Sequence, residues 1–405
     1  MIGDAPTPEF ALTAACCRWP PSASRDSAVC AAAVDVRDWS EFSRLVGRHR
    51  VAGLAQKALS SANISPPSAV ARALAARAAR SFRHNLLLAA ETIRLQGVLD
   101  AAGIPAPALK GVALAQLAYG DPTIKQTRDI DLLIPPERAE EALQILHSEG
   151  YALLYPARHL NGAQRRAIFR YAREVQLIHR GTNVLLELQW RPTNNPLLLK
   201  GVDARSAMQR VLLSDGAGIR TLERNDLFAY LCAHGAQHAW SRLKWLADLN
   251  AFVSASSADM LQLHRHAQRI GAGFCAGQAL LLCHQLLDLT LPHALRAEID
   301  GNERLTRLAK TAIKTMTDKY AEAEKGRSFV STVRVMHAQF LLGKGWAFFA
   351  AQYRAESVRT LDIVEFPLPR LLQFLYPFLR LPLWLWRRAT AAPRGRRPRL
   401  EPDAF

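Results

Sequence analysis

The sequence predicts an α+β protein, mostly helical, with one small mixed sheet flanked by helical regions. Three observations carry that prediction. Between residues 103 and 200, apolar runs of strand length alternate with helical patterns and then close in a hairpin. From about residue 203 nearly everything has helical periodicity. Residues 35–102 share it and end at the Gly103-Ile104-Pro105 stop. A chain of 405 residues exceeds one ordinary core, so several units are expected. These are a poorly ordered N-terminus (1–34), an N-terminal helical region (35–102) and an α/β core (103–200). A C-terminal helical domain (201–353) and an aromatic, proline-rich strap with a basic tail (354–405) follow.

Taken in order, the first thirty or so residues are rich in Ala, Ser and Pro. Val36, Trp39, Phe42, Leu45 and Val46 then recur at helical spacing, and SANISPPS (Ser61 to Ser68) breaks the pattern. A long Ala-rich helix is expected over 69–102. Pro107 to Lys110 reads as a short strand, Val112 to Tyr119 as a helix and Arg128 to Ile134 as a strand. A helix over 137–149 stops at Gly150. Tyr151 to Tyr155, Glu174 to His179 and Asn183 to Trp190 read as strands, the last two joined through Arg180-Gly181-Thr182. Helices are then expected at 204–213, 224–238, 240–254, 259–270, 273–288, 293–323 and 329–353, with one short strand at Gly218 to Leu222.

Composition narrows the setting. An apolar share of 49% and a charged share of 21% suit a soluble globular protein. The net charge of +17 fits a nucleic-acid, anionic-lipid or phosphate-rich partner, and equally an Arg-rich composition. Six cysteines without a CxxC pair fit a reduced, cytoplasmic setting. Asp4 and Glu9 stand where a secretory signal carries positive charge. The most apolar stretch, Phe366 to Trp386, is broken by Arg370, Arg380 and four prolines, so no membrane span is expected.

The chemistry concentrates around Asp129 and Asp131. Residues two apart in a strand share a face, so both carboxylates project together while Ile130 and Leu132 pack behind them. Two like charges on one rigid face repel unless a cation binds them. Mg²⁺ is commonly held by one or two carboxylates plus substrate phosphates, and a two-metal site wants a further acid from a neighbouring strand. Glu187, inside the apolar run NVLLELQW, is that candidate. Upstream, Lys110-Gly111 precedes a helix whose first N–H groups are unpaired, which makes a phosphate cradle. Other Asp-x-Asp enzymes fit less well. Haloacid-dehalogenase-like phosphatases carry the pair at a strand's end, whereas Leu132-Leu133-Ile134 continues this one. Metal-dependent glycosyltransferases need an α/β domain upstream, where this chain is helical.

Leu109-Lys110-Gly111, Tyr119-Gly120-Asp121-Pro122, Asp129-Ile130-Asp131-Leu132-Leu133, LLELQW and Cys232 to Leu249 closely resemble one family. It is the uncharacterised nucleotidyltransferase family of the polymerase-β-like superfamily. The resemblance covers most of residues 40–380, with its motifs between 109 and 249. It implies a nucleotidyltransferase core in which Asp129, Asp131 and a third acid bind Mg²⁺, two ions in all, and Gly111 holds the phosphates of an NTP co-substrate. The chain departs from the family pattern in carrying Glu187 for Asp, Gln189 for His and Lys125 for Arg. Lys110, Lys125 and Arg128 are candidate phosphate contacts.

His234 and His238 lie at i, i+4, a metal-ligand spacing, but position 235 is not Glu, so this is not the zinc-protease helix. They fit either an interface pair or, with Arg242, Trp245 and Asp248, a stripe along a nucleotide cleft that Lys244 could reach. Trp240 and Trp245 fit a core or base-stacking positions. Residues 387–399 carry six arginines and no acid after an aromatic segment, which fits a packed strap, an anionic membrane surface or RNA. The functional expectation is Mg²⁺-dependent transfer of NMP to an unidentified hydroxyl acceptor. Its alternative is a non-catalytic nucleotide-binding accessory protein, at the inner membrane surface, in a polysaccharide or natural-product assembly system.

Overall fold

The computed structural model describes residues 6–156, 160–214, 216–255, 259–318 and 329–390. It begins with two helices, α1 (Pro8–Ala15) and α2 (Ala23–Val34), which corrects the expectation of a poorly ordered N-terminus. Local chemistry accounts for them. The Thr7 side chain accepts the Phe10 N–H, Pro8 occupies the first helical position, and Ser22 caps Arg25. Phe10, Leu12 and Val29 are buried, so this segment belongs to the core.

Asp38 caps α3 (Trp39–His49), and α4 (Ala52–Ser61) follows after a left-handed residue, Arg50. α5 (Ser68–Ala101) runs 34 residues. The α/β unit then comprises α6 (Val112–Tyr119), β1 (Asp129–Leu133), α7 (Ala139–Ser148), β2 (Tyr151–Tyr155), α8 (Gly162–Tyr171), β3 (Glu174–His179) and β4 (Leu185–Gln189). Its sheet has the order β1-β4-β3-β2, with β1 parallel to β4 and the other pairs antiparallel. α8 was not anticipated; Asn161 and Gln164 form a capping box at its start. Pro107 to Lys110 pairs too briefly to be a strand. It covers the outer edge of β1 through Leu109 N–H to the Asp131 carbonyl and Leu133 N–H to the Pro107 carbonyl.

Residues 204–213 are not helical. Within them β5 (Met208–Leu212) pairs antiparallel with β6 (Gly218–Leu222) as a separate two-stranded sheet. The short apolar run is decided by this partner strand rather than by local periodicity. Then come α9 (Arg224–Gln237), α10 (Leu243–Ser254), α11 (Met260–Arg269), α12 (Gly273–Leu287), α13 (His293–Asp300) and α14 (Glu303–Thr317). The single helix expected over 293–323 is divided at Gly301-Asn302, where Asn302 caps α14; residues 319–323 lie outside the described residues. α15 (Phe329–Phe340), α16 (Gly345–Ser357), α17 (Thr360–Glu365) and α18 (Tyr376–Thr390) complete the described chain. The strap is therefore largely helical, and the basic tail beyond 390 lies outside the described residues.

Two apolar cores hold these elements. One gathers α1–α4 against α6 and the helices α9 to α16. The other lies behind the sheet, between α5, α7, β1, β3 and β4. The face of the sheet opposite this second core carries the polar residues. Among the described residues no helix is long and apolar enough to cross a membrane.

Candidate active site

The sheet register sets the acids. In the parallel pair Asp131 stands opposite Glu187, and Asp129 opposite Leu185. Asp129, Asp131 and Glu187 therefore share one face, with Ile130, Leu132, Leu186 and Leu188 buried behind them. All three converge on one ammonium: Lys110 Nζ lies 2.9 Å from Asp131 Oδ1, 3.8 Å from Glu187 Oε2 and 3.9 Å from Asp129 Oδ1. Gln189 donates to Asp131 Oδ1 at 3.0 Å, and Gln176 to Glu187 Oε1 at 3.2 Å. Asp131 Oδ2 is buried and accepts no hydrogen bond.

These contacts polarise the three acids differently. Burial raises Asp131 well above the usual carboxylate range; Lys110 opposes this, while Asp129 and Glu187 reinforce it. Burial also works to raise Asp129, but Lys110, Lys244, Arg128 and Arg50 outweigh it and hold the group low. For Lys110, burial favours the neutral amine, and the three acids overcome it and fix the ammonium.

Above the acids lies a cleft with about 420 Å³ of open space, solvent included. Its lining contains Lys110, Gly111, Lys125, Thr127, Asp129, His234, Lys244, Trp245 and Asp248, with Leu114 and Leu231. Gly111 adopts φ 74°, ψ −137°, a conformation that L side chains rarely take, and opens α6 with no side-chain cap. Lys244 reaches the Gln126 carbonyl only at 3.5 Å, and burial, then Arg50 and Lys125, depress its pKa well below the ordinary value. The buried His234 ring has neither nitrogen hydrogen-bonded and is likewise held neutral, first by burial and then by His238 and Lys110.

Several anticipated residues take other roles. Lys110 points into the acids rather than along the cleft. Lys125 and Asp248 neutralise each other at 2.6 Å, and the Tyr119 hydroxyl donates to Asp248 at 3.0 Å. His238 is exposed, with its ring 4.6 Å from that of His234, and does not line the cleft. The stripe is not continuous, because Ala239 and Trp240 have positive φ and break the helix between α9 and α10. That reversal needs Gly235: a β-carbon there would meet the buried Trp240 ring at 2.3 Å. Arg242 turns away to the Arg48 carbonyl at 2.6 Å. Trp245 is at the cleft wall, whereas Trp240 is core. The Arg128 side chain is exposed beside Asp129, and its carbonyl meets His84.

Three residues escaped the sequence reading. Gln176 and Glu174 alternate along β3 on the acid face, opposite Glu187 and Gln189, and their period-two polarity was the available signal. Arg50, whose charge bears on Asp129, reaches it from the left-handed end of α3, which no local pattern announces.

Among the described residues no group of three or more His, Cys, Asp or Glu side chains is arranged to hold a metal ion; the acids are drawn around Lys110 instead. The donor chemistry nevertheless fits a hard cation. It is all oxygen, and Asp131 Oδ2 is left without a donor beside a second carboxylate. The model of a family described as uncharacterised nucleotidyltransferase matches residues 35–288. A search of curated proteins found no match.

Proposed function

This chain belongs to the uncharacterised nucleotidyltransferase family, and we propose that it transfers NMP from an NTP to a hydroxyl acceptor in a Mg²⁺-dependent reaction. The observation that carries this reading is the convergence of Asp129, Asp131 and Glu187 on one sheet face below a cleft whose lining includes Lys110, Lys125 and Lys244. The acceptor oxygen would form a bond to the α-phosphorus, the bond to the departing pyrophosphate would break, and the hydroxyl proton would pass to the carboxylate set. Asp129, Asp131 and Glu187 would hold the cations. When bound, Mg²⁺ there supplies charge neutralisation on the triphosphate and acidifies the attacking hydroxyl.

The chain's own groups supply the rest. Backbone N–H groups after Gly111 would face the phosphates, and the Lys244 amine would donate hydrogen bonds beside them. Lys110, next to Gly111 and also lining the cleft, would add its charge at the same turn. Trp245 and Leu114 give the cleft an apolar wall for a base. Gln176 and Gln189 hold Glu187 and Asp131 in a fixed orientation, so little rearrangement remains at the moment of reaction.

The test is incubation with each α-labelled NTP, Mg²⁺ and fractionated lysate. Label should pass to one acceptor. Asp131→Asn should reduce the transfer by roughly 10²–10³-fold, the scale for losing a group that stabilises transition-state charge. Unchanged transfer by that variant would overturn the assignment. NTP binding without transfer to any fraction would identify an accessory role.

A further inference from the structure

We infer that the face formed by α16, α18 and the turn between α17 and α18 docks on an anionic lipid membrane surface. Among the described residues, more than half of the exposed large apolar side chains fall between Trp346 and Trp386. They are also ordered by face. On α18, Tyr376 and Leu383 point inward and are buried, whereas Phe378 and Leu385 point outward and are 70% and 52% exposed. The helix is thus apolar on its solvent side, the reverse of an ordinary surface helix. The turn before it adds Leu371 and Phe374, which are 86% and 63% exposed. On α16, which packs against α18, Trp346, Phe349 and Tyr353 are exposed at helical spacing, and the first two rings stack at 5.4 Å.

Charge selects the occupant. Arg354, Arg359 and Arg370 are exposed beside these side chains. From Phe366 to Leu400 the sequence contains eight arginines and no acidic residue. Apolar groups reaching outward among arginines match the boundary between acyl chains and anionic headgroups, with Trp and Tyr at the polar margin. A second copy of the chain fits poorly, since a twofold interface would set this basic face against itself. RNA would use the arginines and rings but offers nothing to the protruding leucines.

Vesicle co-sedimentation of the full chain tests this, without NTP and therefore independently of any catalytic reading. Binding to phosphatidylglycerol–phosphatidylcholine vesicles should exceed binding to pure phosphatidylcholine and weaken with salt. The exposed-residue triple variants W346S/F374S/F378S and R354Q/R359Q/R370Q should each bind at least about tenfold more weakly. Unaltered melting curves would show that both still fold. Vesicle binding equal to wild type in both variants would overturn the proposal. So would a wild-type dimer that the apolar variant dissociates in light scattering, or loss of RNA binding alone in the arginine variant.

Discussion

Lys110 and Asp131 form an ion pair of 2.9 Å in which the aspartate is fully buried and the ammonium also faces Asp129 and Glu187. One positive charge thus stands among three carboxylates. Lys110→Met should lower stability by roughly 3–5 kcal/mol without divalent cations, part of it offset when Asp131 takes a proton. Added Mg²⁺ should then raise the melting temperature of the variant more than that of the wild type. Equal Mg²⁺ responses, measured by scanning fluorimetry, would count against a cation site at these acids.

Gly111 sits at φ 74°, and an added β-carbon would meet Thr127 Cγ2 at an ordinary 3.4 Å. Backbone conformation, not space, is the constraint. Gly111→Ala should therefore cost roughly 1–3 kcal/mol in stability, and by tilting the first turn of α6 it should weaken NTP affinity. Calorimetric titration with each NTP provides the measurement; undiminished affinity would remove this turn from the phosphate site.

The Lys125–Asp248 pair ties the loop before β1 to α10 across 123 residues. Asp248→Ala leaves a buried ammonium and the Tyr119 hydroxyl without their acceptor. A loss of about 3–5 kcal/mol is expected. Lys125→Met combined with Asp248→Leu should recover much of it, because no isolated charge remains. A urea-denaturation double-mutant cycle reads the coupling, and additive single effects would show that the pair is not coupled.

His49 joins α3 to α10 by accepting the Leu243 N–H at Nδ1, 3.1 Å away. Burial, reinforced by Arg48, Arg242 and Arg44, pushes its pKa down to about 3 from an ordinary 6.5. The folded form therefore favours the neutral ring. Its contribution is complete above pH 6.5 and is lost as the pH falls from 6.5 toward 3, up to about 5 kcal/mol at roughly 1.4 kcal/mol per unit. His49→Gln should flatten the acid limb of stability against pH. An unchanged slope between neutral and mildly acidic pH would contradict this.

The acid face was legible because strand geometry is local: alternate residues of DIDLL and of LLELQ must share a side. The helices were legible for the same reason, from apolar spacing and caps. What the sequence concealed depends on partners outside each local pattern. Residues 208–212 become a strand because residues 218–222 pair with them. Lys110 fits a phosphate ligand by its place after a strand, yet packing aims it at the acids. Asp248 and Lys125 each look available to a ligand until the fold brings them together. Arg50 reaches the site only through a left-handed helix end.

The strand order β1-β4-β3-β2 has a kinetic consequence. β3 and β4 form a local hairpin that closes over a short turn, and β2 joins β3 across the segment that holds α8, whereas β1 must find β4 across about fifty residues of intervening chain. Non-local pairing of this kind is slow because loop closure precedes its reward. Folding should therefore build the β3–β4 hairpin with Glu187 in place and add Asp129 and Asp131 late. A nascent or partly unfolded chain then has no half-assembled acid cluster, and any affinity of the trio for cations arises together with the completed sheet.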